Sequence, residues 1–138
     1  MKCYCNRYNT KLLGIKSSAP VTVSTAGTGY RILPNQADTE PDSSQDYRFV
    51  STMNVAGGAD TPAARLSIQG SVDGVTWFEV AAGTNRTAPG AYVEVIDAPN
   101  SALLPWVRAF VTISGGTPPS VDAVIDIVST GPFELALA

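Results

Sequence analysis

Acid-base chemistry in this chain would have to come from carboxylates, because the sequence contains no histidine and only two cysteines, Cys3 and Cys5. Without an imidazole to act as a base near neutral pH, Ser-His-Asp and Cys-His nucleophilic catalysis is excluded. The carboxylates that neighbouring strands can bring face to face are Asp122 with Asp126 and Glu79 with Glu94. Such a pair, correctly spaced, can perform the acid-base work of a glycosidase. More often, carboxylates at these positions only keep a strand face soluble, and no enzymatic activity is expected. The cluster Asp38, Glu40, Asp42 and Asp46 lies in a stretch rich in Pro, Asn, Ser and Gln. That is a loop by composition; it has the oxygen ligands for a cation, but loops of this kind usually hold none. Cys3 and Cys5 are one residue apart, where a mutual disulfide is strained, so free thiols or an intermolecular bridge are expected. With no His and no second Cys pair, half the ligands of a zinc site are missing. The glycine-rich stretches lack both the Gly-Lys-Ser/Thr ending of a phosphate loop and a following helical pattern. No metal and no cofactor is expected.

The remaining groups with binding potential are aromatic. Trp77, Trp106 and Tyr92 form a candidate ligand platform, since amphipathic rings stack on sugars. The competing expectation, favoured for most of the aromatics including Tyr30 and Tyr47, is packing in the core of a small β-domain. Trp77 and Phe78 are consecutive in an extended run, so one of them points inward and the other outward or into an interface.

Strands are the elements that would have to position these residues. Twelve Gly and ten Pro divide the chain into short runs rich in Val, Ile, Thr and aromatics, the pattern of strands bounded by turns. The runs are 19–25, 29–33, 46–55, 64–69, 75–82, 91–97, 104–114 and 121–130. In the third, Tyr47, Phe49, Met53 and Val55 share one face; in the fourth, Ala64, Leu66 and Ile68 do; in the last, Val121, Ala123, Ile125 and Ile127 do. Asp73-Gly74 marks a hairpin, because that pair tolerates the positive φ of tight turns. No repeat with a period of roughly 20 to 50 residues is present. The expected fold is therefore all-β, an antiparallel sandwich of about eight strands, immunoglobulin-like or jelly-roll-like. The sandwich domain is placed at residues 19–131, with a basic N-terminal arm at 1–18 and a C-terminal tail at 132–138.

With 138 residues the chain can bury one core, and its 44% apolar but only 15% charged residues suit a β-protein that sits in an assembly. A net charge of −3 argues against nucleic acid as a partner, which requires clustered Lys and Arg. No apolar run reaches the roughly 18 residues of a membrane span, and residues 1–18 lack the apolar core of a signal peptide. No membrane partner is expected, and synthesis in a cytoplasm is. The basic residues Lys2, Arg7, Lys11, Lys16 and Arg31 all precede the first acidic one, Asp38. Together with Tyr4, Tyr8, Leu12, Leu13 and Ile15, the first four give the arm both charge and apolar area. The arm is therefore expected to dock on a neighbouring subunit rather than complete the chain's own core, with Lys2, Tyr4, Arg7, Tyr8, Lys11, Leu12, Leu13 and Lys16 as the contact residues.

The segment from Leu66 to Val80, with Ser71-Val72-Asp73-Gly74-Val75-Thr76-Trp77 at its centre, resembles a strand-turn-strand unit of tailed-phage virion β-sandwich proteins. It also resembles discoidin-type domains. The stretch from Leu104 to Ser120, with Trp106-Val107-Arg108-Ala109-Phe110-Val111 leading to Gly115-Gly116, is similar to the strand and turn that often follow in small phage structural proteins. Discoidin-type domains tie their ends together by a disulfide, whereas both cysteines here lie at one terminus, so the virion resemblance is the better one. It implies a head decoration (cement) protein on the virion surface, with the major capsid protein as partner and a homo-oligomer, preferably a trimer, as the assembled form. The alternative is a carbohydrate-binding adhesin or a tail or head-spike module using Trp77, Tyr92 and Trp106.

Overall fold

The computed structural model of the chain describes residues 9–14, 20–34, 47–97, 105–129 and 133–137, with side-chain detail over 20–32, 47–97 and 105–128. These residues form ten strands and no helix: β1 (Asn9–Gly14), β2 (Thr25–Ala26), β3 (Tyr30–Pro34), β4 (Tyr47–Ala56), β5 (Ala63–Ser71), β6 (Phe78–Ala82), β7 (Gly90–Ile96), β8 (Trp106–Ser114), β9 (Ser120–Ser129) and β10 (Phe133–Leu137). One sheet has the order β1-β9-β4-β7, the other β10-β3-β8-β5-β6, with β2 pairing with β8. Every pairing is antiparallel. The fold is an all-β, two-sheet sandwich, as the alternation predicts.

Alternation also fixes which residues lie between the sheets. Phe49, Ser51, Met53 and Val55 of β4 and Val121, Ala123, Ile125 and Ile127 of β9 are buried, while Arg48, Asn54 and Asp122 are exposed. From the other sheet Ala64, Leu66 and Ile68 of β5 and Val107, Ala109 and Val111 of β8 join the same core. Among the connections described throughout, three carry the chain from sheet to sheet: 57–62 between β4 and β5, 83–89 between β6 and β7, and 115–119 between β8 and β9. The first and third clasp each other, with Ala59 and Thr117 exchanging backbone hydrogen bonds at 2.9 and 3.0 Å and Gly116 N–H donating to Asp60 O at 2.9 Å. Gly115 is required in that clasp. Its φ is +129° and a Cβ there would lie 2.9 Å from Pro62 Cα, so any side chain would strain the backbone and clash.

Leu66 is 1% exposed on β5, between β8 and β6 in the six-stranded sheet. Leu66→Ala is expected to cost about 2 to 3 kcal/mol, measurable as a shift in the midpoint of urea unfolding. A cost below about 0.5 kcal/mol, the usual range for surface positions, would mean that the inner face is misassigned.

The structure departs from the sequence pattern at three places. Within the 19–25 run, Val21 is buried and Val23 is 66% exposed, so the two do not share a core face and only Thr25–Ala26 pairs as strand. A side chain replaces the missing rungs: Ser24 Oγ accepts from Ile113 N–H at 2.9 Å and donates to Ile113 O at 3.3 Å. At the N-terminus, the expected arm at 1–18 contributes β1 as the edge strand beside β9, in register from Asn9↔Ser129 to Gly14↔Val124. Lys11, Leu12 and Leu13 thus lie in a strand of the chain's own sheet. The edge groups of β9 need partners, and this chain supplies them itself. Lys2, Tyr4, Arg7, Tyr8 and Lys16, with Cys3 and Cys5, lie outside the described residues. At the C-terminus, the segment read as a tail, 132–138, contains β10, which pairs with β3 from Phe133↔Pro34 to Leu137↔Tyr30.

Candidate functional site

The outer face of the six-stranded sheet collects the side chains with most binding potential. In β8 the core residues Val107, Ala109 and Val111 force Trp106, Arg108, Phe110 and Thr112 onto the opposite face, and all four are partly or fully accessible. Their cross-strand neighbours follow from register. Arg31 of β3 and Ser71 of β5 flank Trp106, and Gln69 flanks Arg108. A bulge between Ile68 and Gln69 then sets Glu79 of β6 opposite Gln69.

The β5–β6 turn brings the second tryptophan onto this face. Ser71, fully buried, accepts the backbone N–H groups of Asp73 and Gly74 at 3.2 and 2.9 Å and donates its own hydroxyl to Asp73 Oδ1 at 2.8 Å. Asp73 Oδ1 also accepts the N–H groups of Val75 and Thr76, both at 2.8 Å. These bonds fix the turn. Gly74, at φ +77°, lies against Trp106, where a Cβ would be 3.4 Å from the ring-fusion carbons. The turn therefore rests on Trp106 and ends at Trp77.

Arginines cover the indoles. The Arg108 guanidinium lies 4.5 Å from the Trp77 ring centroid, and that of Arg31 lies 5.7 Å from Trp106, both within cation–π range. Arg108 Nε–H also donates to Gln69 Oε1 at 2.7 Å. Partial burial lowers the Arg108 pKa from its ordinary value, while the ring and the amide acceptor favour the charged form. Arg65 pairs with Glu79 at 2.8 Å. Both side chains are well exposed, so this pair adds little stability.

The hydrogen bonds to Asp73 have a pH signature. Donation by the backbone N–H groups of Thr76 and Val75 and by the Ser71 hydroxyl lowers its pKa from 3.8 to about 2. A depressed carboxylate stabilises the fold above its unfolded pKa and loses that contribution as pH falls through the folded value. In Asp73→Asn the amide oxygen still accepts the turn N–H groups but does not titrate. The wild-type melting temperature is therefore expected to fall more steeply than the variant's between about pH 4 and pH 2, with the difference between them constant above that window. Parallel melting curves in thermal circular dichroism would refute the assignment.

The three-aromatic platform read from sequence is split by the fold. Trp77 and Trp106 share one outer face and neither belongs to the core, whereas Tyr30, Tyr47 and Tyr92 pack against it, as expected for most of the aromatics. Tyr92 lies in β7 of the other sheet, packed against the core, where its hydroxyl donates to Ala88 O at 2.6 Å and Arg86 stacks at 4.4 Å. The carboxylate pairs do not form either. Glu79 and Glu94 belong to different sheets, and Glu94 accepts Thr84 N–H and Oγ1–H at 2.7 and 2.9 Å, with Arg86 at 3.6 Å. Asp122 and Asp126 share a face but are four residues apart along β9. That separation is about 13 Å of strand, beyond the roughly 5 to 9.5 Å at which glycosidase carboxylates cooperate. The acidic cluster at 38–46 lies outside the described residues, and among those described no group of three or more Cys, Asp or Glu is placed to hold a metal. No helix among them is long and apolar enough to cross a membrane.

Sequence reasoning missed Arg31 and Arg108 as partners of the tryptophans. The Trp106-x-Arg108-x-Phe110 spacing does show that those three share a face, but only the long-range register adds Arg31 and Trp77. No family model, no curated protein and no solved structure matches this chain.

Proposed function

We propose that this chain is a non-enzymatic structural subunit acting by contact, a decoration protein on the outside of a phage or phage-like head. In this role it binds across subunits of the major capsid protein and associates with copies of itself, most simply as a trimer. The observation that carries this reading is the exposure of large apolar side chains at two separate places on a single sandwich, the outer side of β7 and the β5–β6 turn with the start of β6. Val93 and Val95 on the outer side of β7 are 69% and 58% exposed, and Val72, Val75 and Phe78 around the β5–β6 turn are 66%, 80% and 57% exposed. Grouped exposed apolar side chains on a small domain mark contact surfaces. The likeness of segments 66–80 and 104–120 to phage virion proteins adds to it, since the two segments pair along β5 and β8. Binding that exists only on the assembled shell stabilises that shell by mass action.

Among the described residues β7 is an edge strand, so no described strand flanks Val93 and Val95 on one side. Replacing both with Gln is expected to leave monomer unfolding within about 0.5 kcal/mol, as for other surface positions, while shifting self-association toward monomer in light scattering. Electron microscopy of particles from the native source tests the role itself. Density for the chain at regular sites on a shell supports it, and shells without the chain overturn it.

A carbohydrate-binding module is the second reading, favoured by Trp77 and Trp106 sharing one face. Binding on a glycan array that is lost in Trp77→Ala would establish it over the first.

A further inference from the structure

We infer that the outer face of the six-stranded sheet is a protein-docking surface for a carboxylate-bearing partner, with Arg31 and Arg108 as its charge-reading groups and Trp77 and Trp106 as their supports. The inference rests on the contact role proposed above and names the face and the partner chemistry. Its basis is two guanidiniums that take part in no ion pair among the described side chains. The whole chain carries −3, and this face presents Arg31, Arg65 and Arg108, with Glu79 in β6 and, by register opposite Leu33, Glu134 in β10. Glu79 is held by Arg65, and Asp73, at the turn beside them, has Oδ1 engaged by its own turn. The two ion pairs of the described residues are Arg65–Glu79 and Arg86–Glu94. Neither includes Arg31 or Arg108.

Both guanidiniums are held in place rather than loose. The indole rings hold them by cation–π contact, and Gln69 binds only the Nε–H of Arg108, leaving its terminal N–H groups for an outside acceptor. A guanidinium oriented in this way offers a planar fork that fits a carboxylate with two parallel bonds. Arg31 and Arg108 sit diagonally on adjacent strands, because Arg31 pairs with Trp106, two residues before Arg108. That places their Cα atoms about 7 to 8 Å apart, suited to two acidic side chains on one partner strand or helix.

A protein suits this face better than a sugar. Pyranose stacking needs an open ring face, but Arg108 lies over Trp77, and Trp106 has Arg31 over it and Gly74 against it. Beside the charged centre, Val72 and Val75 of the β5–β6 turn are exposed. Trp and Arg at the centre of an apolar patch is the composition of an interaction hot spot.

Trp77 and Trp106 are the only tryptophans in the chain, so indole emission reports on this face alone. The test is a titration of the intact protein at low salt with a random copolymer of glutamate and leucine. A saturable change in emission is expected. The double variant Arg31→Gln/Arg108→Gln should weaken it at least about tenfold, the equivalent of one lost charge-assisted contact. Arg31→Gln alone should also weaken it, which keeps the test valid if loss of Arg108 disturbs the turn. Arg108→Lys should weaken it because an ammonium has no fork. Arg48→Gln, on the other sheet, should not. Polygalacturonate is the competing arm: binding as tight as that of the copolymer would overturn the inference in favour of an acidic glycan. Absence of a saturable change, or binding unaffected by the Arg31 and Arg108 variants, would also overturn it. Particle microscopy keeps the two proposals apart. A chain that decorates a shell equally well with Arg31 and Arg108 replaced retains the contact role and loses this inference, whereas copolymer binding by a chain absent from every shell does the reverse.

Discussion

Phe49→Ala is expected to destabilise the fold by about 3 to 5 kcal/mol, a large part of the roughly 5 to 15 kcal/mol that holds a domain together. Phe49 heads the fully buried side chains in size, at 0% exposure. It sits in the middle of the four-stranded sheet, paired with Ile127 of β9 on one side and Ile96 of β7 on the other. Both neighbours are buried to 1% or less, so truncation leaves a void walled by β-branched side chains with few rotamers to fill it. Phe49→Leu keeps most of the volume and is expected to cost about 1 kcal/mol. Chemical denaturation of the two variants measures the difference. Equal costs would mean that the sheets close over the cavity and that the core is less rigid than its packing implies.

What could be read from the sequence follows from how local each feature is. Strands β4, β5, β8 and β9 were legible because each carries its own period-2 signal and each buries the face that signal selects, Phe49 through Val55 and Val121 through Ile127 being the clearest. The 19–25 run carried the same signal without the outcome. Val21 and Val23 alternate as strand residues do, but Ser24 takes over the pairing with Ile113, a side-chain contact across 89 residues that no local pattern encodes. Strands β1 and β10 were not legible as sheet members for the opposite reason. An edge strand needs only a neighbour with unpaired backbone groups, and charged residues such as Lys11 are tolerated there.

The candidate site shows the same division. The turn at Asp73-Gly74 was legible as a hairpin, and its bonds to Asp73 are local. That Trp106, Arg108 and Phe110 share a face was also legible. The indole–guanidinium pairs were not, because Arg31 meets Trp106 across 75 positions of sequence and Arg108 meets Trp77 across 31, through registers set by the whole sheet. Tyr92 was grouped with the tryptophans because composition does not say which sheet a strand joins, and β7 crosses to the other one.

Removing residues 1–14 is expected to lower stability by roughly 3 kcal/mol or more, the cost of uncovering about two large core side chains, rather than leave the domain intact as deletion of a docking arm would. β9 is an interior strand only because β1 lies beside it, and the residues it places next to β1 include Ile125 and Ile127, both at 0% exposure. Register sets Lys11 opposite Ile127 and Leu13 opposite Ile125. Without β1 that flank of the sandwich opens to water, and the backbone groups of β9 that faced β1 lose their partners. The newly exposed edge is long and rich in Val and Ile, the kind that pairs with other chains. The truncated protein should therefore melt at lower temperature in calorimetry and self-associate more, not less, in sedimentation. Salt separates this outcome from an electrostatic one. Screening weakens contacts between exposed charges but does not replace a strand, so raised salt on the intact chain should leave its melting temperature close to that in dilute buffer. A truncated chain that melts like the full one and stays monomeric would show that residues 1–14 contribute nothing to the sandwich and would return them to the role of an arm for a neighbouring subunit.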